Sequence, residues 1–269
     1  MDLLRKKIDK LLEDHVCHRG IVIINLQTGE KLAINPENQF PAASMIKIPI
    51  MYEIMRQAAF GNISLEDELT VSEEVIVDGA GILKELRPNI KMTVLELVTL
   101  MIILSDNTAT NMLIDYAGMD NINSTIKSLG LKSTLLQRRM MDFDAAKSGR
   151  ENFTTAADIS LILNIIFQKD LLPVSYCEQM LDILIRQQVR DKLPFYLPED
   201  TIIANKTGTL PGFEHDGGIL FLPYGAYIIS VFTGNLTANY EGLLLVAEIG
   251  KTIYEHFAFD KENTACAKP

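Results

Sequence analysis

Residues 202–232, IIANKTGTLPGFEHDGGILFLPYGAYIISVF, hold three short apolar runs separated by turn-forming residues. IIANKTGT (202–209), GGILFL (217–222) and AYIISVF (226–232) have strand length and strand composition, and Pro223-Tyr224-Gly225 is a turn between the last two. Working outward, GIVIINL (20–26) and KLAI (31–34) flank Gln27-Thr28-Gly29 and read as a β-hairpin near the other end of the chain. Leu4, Ile8, Leu11 and Leu12 recur at helical spacing within residues 3–16. Leu243, Val246, Gly250, Ile253 and Phe257 do the same within 239–257. Both ends of the chain therefore carry strands and a helix.

Residues 42 to about 190 read differently, as helices and loops with little strand signal. Met92-Thr93 opens an apolar-periodic helix through Leu104, and Thr154-Thr155 caps another through Phe167. The expected fold class is α+β. A five-stranded antiparallel sheet built from both termini is flanked by the terminal helices, with an all-α domain inserted between its second and third strands. The expected boundaries are 1–35 with 184–269 for the sheet domain and 36–183 for the helical one, with an active site at their junction.

The 269 residues include 25 basic and 35 acidic side chains, a net charge of −10, with 48% hydrophobic and 22% charged residues. That is the composition of a globular protein with a substantial core. It lacks the basic footprint of a nucleic-acid binder, so no nucleic-acid partner is expected. No apolar stretch approaches the ~18 residues of a membrane span, so no membrane partner is expected either. Cys17, Cys177 and Cys266 are odd in number and scattered, which makes no disulfide framework. The opening MDLLRKKIDKLLEDH alternates charge with Leu and Ile and is no signal peptide. The expectation is a cytoplasmic monomer, or a secreted or periplasmic protein if an export signal has been removed from its front.

Three motifs carry chemistry. Ser44-Met45-Ile46-Lys47 places a hydroxyl and an amine three residues apart, on one helix face, with Ser44 at a helix N-terminus that favours developing negative charge. Burial would lower the lysine pKa and make Lys47 a proton acceptor for Ser44. Ser105-Asp106-Asn107 follows the 93–104 helix; its serine can relay a proton, and its asparagine can meet a substrate carbonyl or hold a lysine. Lys206-Thr207-Gly208-Thr209 lies in a strand, where Gly208 allows close backbone approach and Lys206 can hold an anion. The N–H groups of Thr209 and Ser44 could together form an oxyanion hole.

In this order, S-x-x-K, S-D-N and K-T-G resemble the signature of class A β-lactamases and penicillin-binding proteins. FPAASMIK and KMTVLELVTLMIILSDNTATNML are similar to that family too, and the resemblance runs from the opening helix to the closing one. It implies an acylated nucleophile at Ser44, with Lys47 as its base and Ser105 passing a proton to the leaving lactam nitrogen. Asn107 would contact the substrate acyl side chain, and Lys206 and Thr207 would bind its carboxylate, with Gly208 and Thr209 completing the subsite. Asp106 would be structural. No metal and no cofactor are implied, and the partner is a small β-lactam or related acyl compound.

The family's E-x-x-L-N loop, which supplies the deacylating Glu, is absent. Gln137-Arg138-Arg139-Met140-Met141-Asp142 stands there instead, with Met141 or Asp142 where the Glu is expected and Asp144 and Glu151 as the other acids. Asp142 is the candidate deacylation base. Without a base, Ser44 would be acylated quickly and released slowly. The alternatives are a D,D-peptidase, transpeptidase or small-ester hydrolase, and a non-enzymatic β-lactam sensor. Three further features invite weaker readings. His15, Cys17 and His18 lack the further ligands of a metal site, His215 is expected to line the loop after the K-T-G strand, where it could contact substrate, and Pro49 should bend its helix.

Overall fold

The computed structural model describes residues 1–259, so Cys266 lies outside the described residues. The chain begins with α1 (Asp2–Glu13), the hairpin β1 (His18–Asn25) and β2 (Lys31–Ile34), and the short β3 (Phe40–Pro41). A 3₁₀ turn (Ala43–Ile46) then runs directly into α2 (Lys47–Ala59). Next come β4 (Glu68–Val71), β5 (Ile90–Thr93), α3 (Val94–Ile103), α4 (Asn107–Ala117) and α5 (Met119–Ser128). They are followed by α6 (Phe143–Lys147), β6 (Phe153–Thr154), α7 (Ala156–Gln168) and α8 (Val174–Ile185). The chain closes with β7 (Ile202–Leu210), β8 (Phe213–Leu222), β9 (Gly225–Gly234) and α9 (Asn239–Phe259).

The five-stranded antiparallel sheet has the order β2-β1-β9-β8-β7, joining the first 34 residues to the last quarter of the chain. Its two faces follow from alternation along each strand. Ile21, Ile23, Ile203, Leu220, Tyr227, Ile229 and Val231 point to the face covered by Leu4, Ile8 and Leu12 of α1 and Val246, Ile249 and Ile253 of α9. Val22, Ala204, Ile219, Ile228 and Phe232 point the other way and share one continuous core with α2, α3, α4, α7 and α8. Burial on both faces explains why these strands read as apolar runs instead of alternating ones.

Local signals fix the helices that frame the site. Thr93 and Glu96 form a reciprocal capping box at the start of α3, and Thr155 accepts from Asp158 N at the start of α7. The middle region also contains the two-stranded ladders β4–β5 and β3–β6, which are too short for periodicity to reveal. Pro49 falls in the first turn of α2, where a proline removes no bond that the helix itself supplies, so the bend expected there is not required. Among the described residues no helix is long and apolar enough to cross a membrane.

Candidate active site

Ser44 sits half-buried on the 3₁₀ turn between β3 and α2, not on the α-helix itself. Ala43 before it adopts φ 46°, a left-handed conformation that costs a non-glycine residue roughly 1–2 kcal/mol. The turn is held from behind. Ala42 N donates to Asn152 O at 2.7 Å, and His215 Nε2 bonds Pro41 O at 3.0 Å. A carbonyl only accepts, so His215 carries its proton on Nε2. His215 is fully buried, stacked on Phe232 at 4.4 Å and edge-on to Phe40. Burial pulls its pKa down to about 4. It lies in β8 and supports the Ser44 turn from the core, which corrects the reading of His215 as a loop residue open to a substrate contact.

Two buried lysines converge on one hydroxyl. Lys47 Nζ donates to Ser105 O (2.7 Å), Ser105 Oγ (3.1 Å) and Asn107 Oδ1 (3.0 Å). Lys206 Nζ donates to the same Ser105 Oγ (3.2 Å) and to Thr207 O (2.7 Å). Burial, then repulsion from Lys206, lowers the Lys47 pKa well below that of an ordinary lysine. Burial, then repulsion from Lys192, brings Lys206 down to about 7. With both lysines donating to it, Ser105 Oγ has its own hydrogen left to give. The arrangement can carry a proton from Lys47 through Ser105 to a third atom.

The Ser105 loop is fixed by its neighbours. Asp106 caps α4 through Ala109 N (2.9 Å), and its other oxygen accepts from Ile82 N (2.7 Å) and Leu83 N (2.9 Å). These bonds, with Ser105 at φ 56°, pin the loop to residues 80–83, and Asn107 N donates to Ala80 O. A Cβ on Gly81 would lie 2.2 Å from Asp106 Oδ2, so only glycine fits there. Gly79-Ala80-Gly81 is the backing of this loop.

β7 is the edge strand, and its free edge faces the 3₁₀ turn. Gln187 Nε2 donates to Asn205 O, so the main chain of residue 205 points off that edge. By alternation that of 207 and 209 does too. Gly208 makes the approach possible, since a Cβ there would meet Met45 Cγ at 3.1 Å, Ala43 Cβ at 3.2 Å and Ser44 N at 3.3 Å. Thr207 is buried, on the opposite strand face from Lys206. Beyond it, the buried Lys192, which carried no sequence signal, pairs with Glu214 (3.1 Å) and donates to Thr209 Oγ1 (3.2 Å).

A cleft of about 180 Å³ opens beside Ser44, lined also by Ala43, Gly79, Ala80, Asn107, Arg138, Met140, Met141, Phe143, Thr209 and Leu210. Among the described residues no acidic side chain lines it. Asp142, the candidate base, is exposed and caps α6 by accepting from Ala145 N at 2.9 Å. Asp144 is exposed beside Lys147, and Glu151 is held by Arg138 Nε at 2.8 Å. Met140 instead holds the cleft wall. Asn111 on α4 accepts from Met140 N (2.7 Å) and donates to Met140 O (3.1 Å), locking its backbone. Sequence reasoning passed over Met140, Phe143 and Leu210, because an apolar residue in a loop gives no sign of the cleft it will line.

Of the other features, His18 enters β1 and its ring lies against Phe40 at 4.5 Å. Cys17 and Cys177 are free thiols.

A serine on a tight turn, a second serine hydroxyl bonded by two buried lysines and a lysine on a sheet edge match an active-serine hydrolase of the class A type. The chain belongs to the beta-lactamase enzyme family, whose model matches residues 3–257. Beta-lactamase VEB-1 of Pseudomonas aeruginosa is 23% identical over 271 aligned residues, covering 95% of this chain and 91% of the relative. The crystal structure of a beta-lactamase from Sphaerobacter thermophilus superposes with a TM-score of 0.85 at 30% identity, over 94% of this chain and 95% of that one. The structure of PBP-A superposes with a TM-score of 0.87 at 29% identity, over 96% of both chains.

Proposed function

We propose that this protein opens β-lactam rings by transfer of the acyl group to Ser44, and that it releases the product slowly. In this reading neutral Lys47 takes the Ser44 proton as Oγ attacks the lactam carbonyl carbon. The N–H groups of Ser44 and Thr209 hold the oxyanion. Cleavage of the C–N bond is completed when Ser105 gives its hydrogen to the departing nitrogen and regains one from the lysine side. Lys206 binds the substrate carboxylate, Thr207 being buried on the opposite strand face, and Asn107 fixes Lys47 while facing the acyl group. The site lies between the sheet assembly (1–35 with 184–269) and the helical insertion (36–183). The observation that carries this reading is Ser105 Oγ, hydrogen-bonded at once by Lys47 and Lys206 beside the Ser44 turn.

The slow release rests on the cleft wall. A positioned general base contributes about 10²–10⁴-fold, and Met140 and Met141 occupy this wall without a carboxylate. The same observation favours the penicillin-binding reading as runner-up, in which a peptide acyl acceptor replaces water; the likeness to PBP-A accords with it. The test is penicillin hydrolysis and covalent labelling with Ser44→Ala beside the parent. Loss of both is the expected result, and hydrolysis that survives in Ser44→Ala overturns the assignment.

A further inference from the structure

Behind the cleft, on the face of β7 and β8 that packs against α9, lies a charged cluster with no part in the chemistry proposed above. Lys192, in the loop after α8, leaves only 2% of its side chain to solvent. Its ammonium donates to Thr209 Oγ1 (3.2 Å) and Asp191 Oδ1 (3.4 Å) and pairs with Glu214 Oε2 (3.1 Å). An ammonium has three hydrogens, so these three acceptors engage it fully and none is left for a substrate. Thr209 gives its hydroxyl hydrogen to the same Glu214 Oε2 at 2.8 Å, which closes a triangle. Glu214 Oε1 accepts from Asn239 Nδ2 at 2.7 Å, and the Asn239 side chain also holds Leu210 O (2.8 Å) and Gly212 N (3.0 Å). Lys192 is itself delivered by a fixed loop. The next residue, Leu193, is fully buried, and its N–H donates to Asp216 Oδ2 at 3.1 Å. The Leu193 carbonyl lies where a Cβ on Gly250 of α9 would come within 2.3 Å of it.

Thr209 is where this cluster meets the cleft. Its side chain enters the triangle, while its main chain points off the outer edge of β7 on the cleft wall beside Ser44. Inside a sheet the next strand aims each N–H, but an edge strand lacks that restraint. A hydroxyl gripped from two sides supplies it, because a fixed side chain limits how far its own backbone can turn. The restraint matters because an oxyanion donor acts only within about 2.7–3.1 Å of the charge.

We propose that Lys192 and Glu214 are positioning residues for acylation, gripping Thr209 Oγ1 so that the Thr209 N–H stays aimed at the developing oxyanion. The proposal rests on Ser44 acylation with that N–H in the oxyanion hole, and adds what holds the donor in place. Lys192 touches no substrate in this account, so its effect falls on the acylation step and is independent of the substrate carboxylate.

The test separates Kd from the acylation rate constant by quenched-flow mass spectrometry of the Ser44 adduct. The probes are benzylpenicillin and its methyl ester, which lacks the free carboxylate. Thr209→Val keeps the shape and the N–H of the residue and removes only the hydroxyl. Its acylation rate constant should fall about tenfold with both probes, a part of the roughly 10²–10³-fold that a whole oxyanion donor contributes. Thr209→Ser, which keeps the hydroxyl, should stay within about threefold of the parent. Lys192→Met should reproduce the loss, and the Lys192→Met/Thr209→Val pair should be no slower than the slower single variant, since both break one contact. Unchanged acylation in Thr209→Val, or losses that multiply in the pair, would overturn the proposal. So would a loss confined to benzylpenicillin or falling on its Kd, which would make this cluster a carboxylate ligand. Lys192→Met leaves Glu214 buried without its cation; if that variant does not fold, the exposed Thr209 decides the question through its two substitutions. Absence of any Ser44 adduct in the parent would instead overturn the acylation reading beneath the proposal.

Discussion

Ser105 Oγ is shared by Lys47, which in the proposed mechanism acts while neutral, and Lys206, which in it binds while charged. Lys206, brought down to about 7, loses its charge as pH rises through neutrality. Affinity of the Ser44→Ala protein for a penicillin carboxylate, measured by calorimetry, should therefore weaken by about thirtyfold from pH 6 to pH 8.5. Equal affinity at both values would remove Lys206 from carboxylate binding. A second residue-scale effect concerns stability. His215 is held at about 4, below its ordinary 6.5, so the unfolded chain takes this proton first and stability is lost as pH falls from 6.5 to 4. Burial raises its neighbour Asp216 to about 6, above its ordinary 3.8, so the folded chain takes that proton first. Stability is then gained as pH falls from about 6 to 3.8. Each contribution is about 3 kcal/mol, and they oppose one another. His215→Gln removes only the first, so its melting temperature relative to the parent should rise between pH 7 and pH 4.5; a constant difference would contradict the buried, neutral state of His215.

At the scale of elements, the site is a contact between a turn and a sheet edge. Gly208→Ala would press a methyl group on Ala43, Met45 and Ser44 N, and overpacking of this kind costs about 1–3 kcal/mol. Acylation should fall at least about tenfold in this variant while thermal unfolding stays cooperative; unchanged acylation would show that β7 and the Ser44 turn need not meet so closely. The 138–151 loop makes the opposite test, a gain. Met140→Glu sets a carboxylate on the wall that Asn111 locks in place, and deacylation should accelerate by between tenfold and about 10⁴-fold. An adduct as long-lived as the parent's would mean that water cannot reach the ester. The serine and lysine motifs were legible because their residue types and order carry chemistry in themselves. Asp142 misled because a carboxylate in the right stretch of sequence gives no sign of which way it turns. Its turn outward is decided by capping α6, and that of Met140 inward by Asn111, a partner 29 positions away.

At the scale of the whole molecule, the two ends of the chain build one sheet, and α1 and α9 seal its outer face. Ile8 is fully buried in that seal, far in sequence from every motif residue. Ile8→Ala should lower stability by about 2–5 kcal/mol in denaturant titration while leaving acylation at low temperature unchanged. A loss of acylation in the folded variant would mean that the outer seal shapes the site. The five strands and both end helices were legible because burial on both faces writes continuous apolar runs, while the ladders β3–β6 and β4–β5 were not, being two and four residues long. The polar cluster of Lys192, Glu214 and Thr209 was equally hidden, since it forms only when the loop after α8 folds over β7 and β8. An acyl-Ser44 enzyme with slow release is tested most directly by a time course of intact protein mass after one equivalent of benzylpenicillin. A single penicillin adduct on Ser44 that forms within seconds to minutes and persists for hours is the predicted result. An adduct that never forms, or that also forms in Ser44→Ala, would contradict the nucleophile, and one that decays within seconds would contradict the slow release.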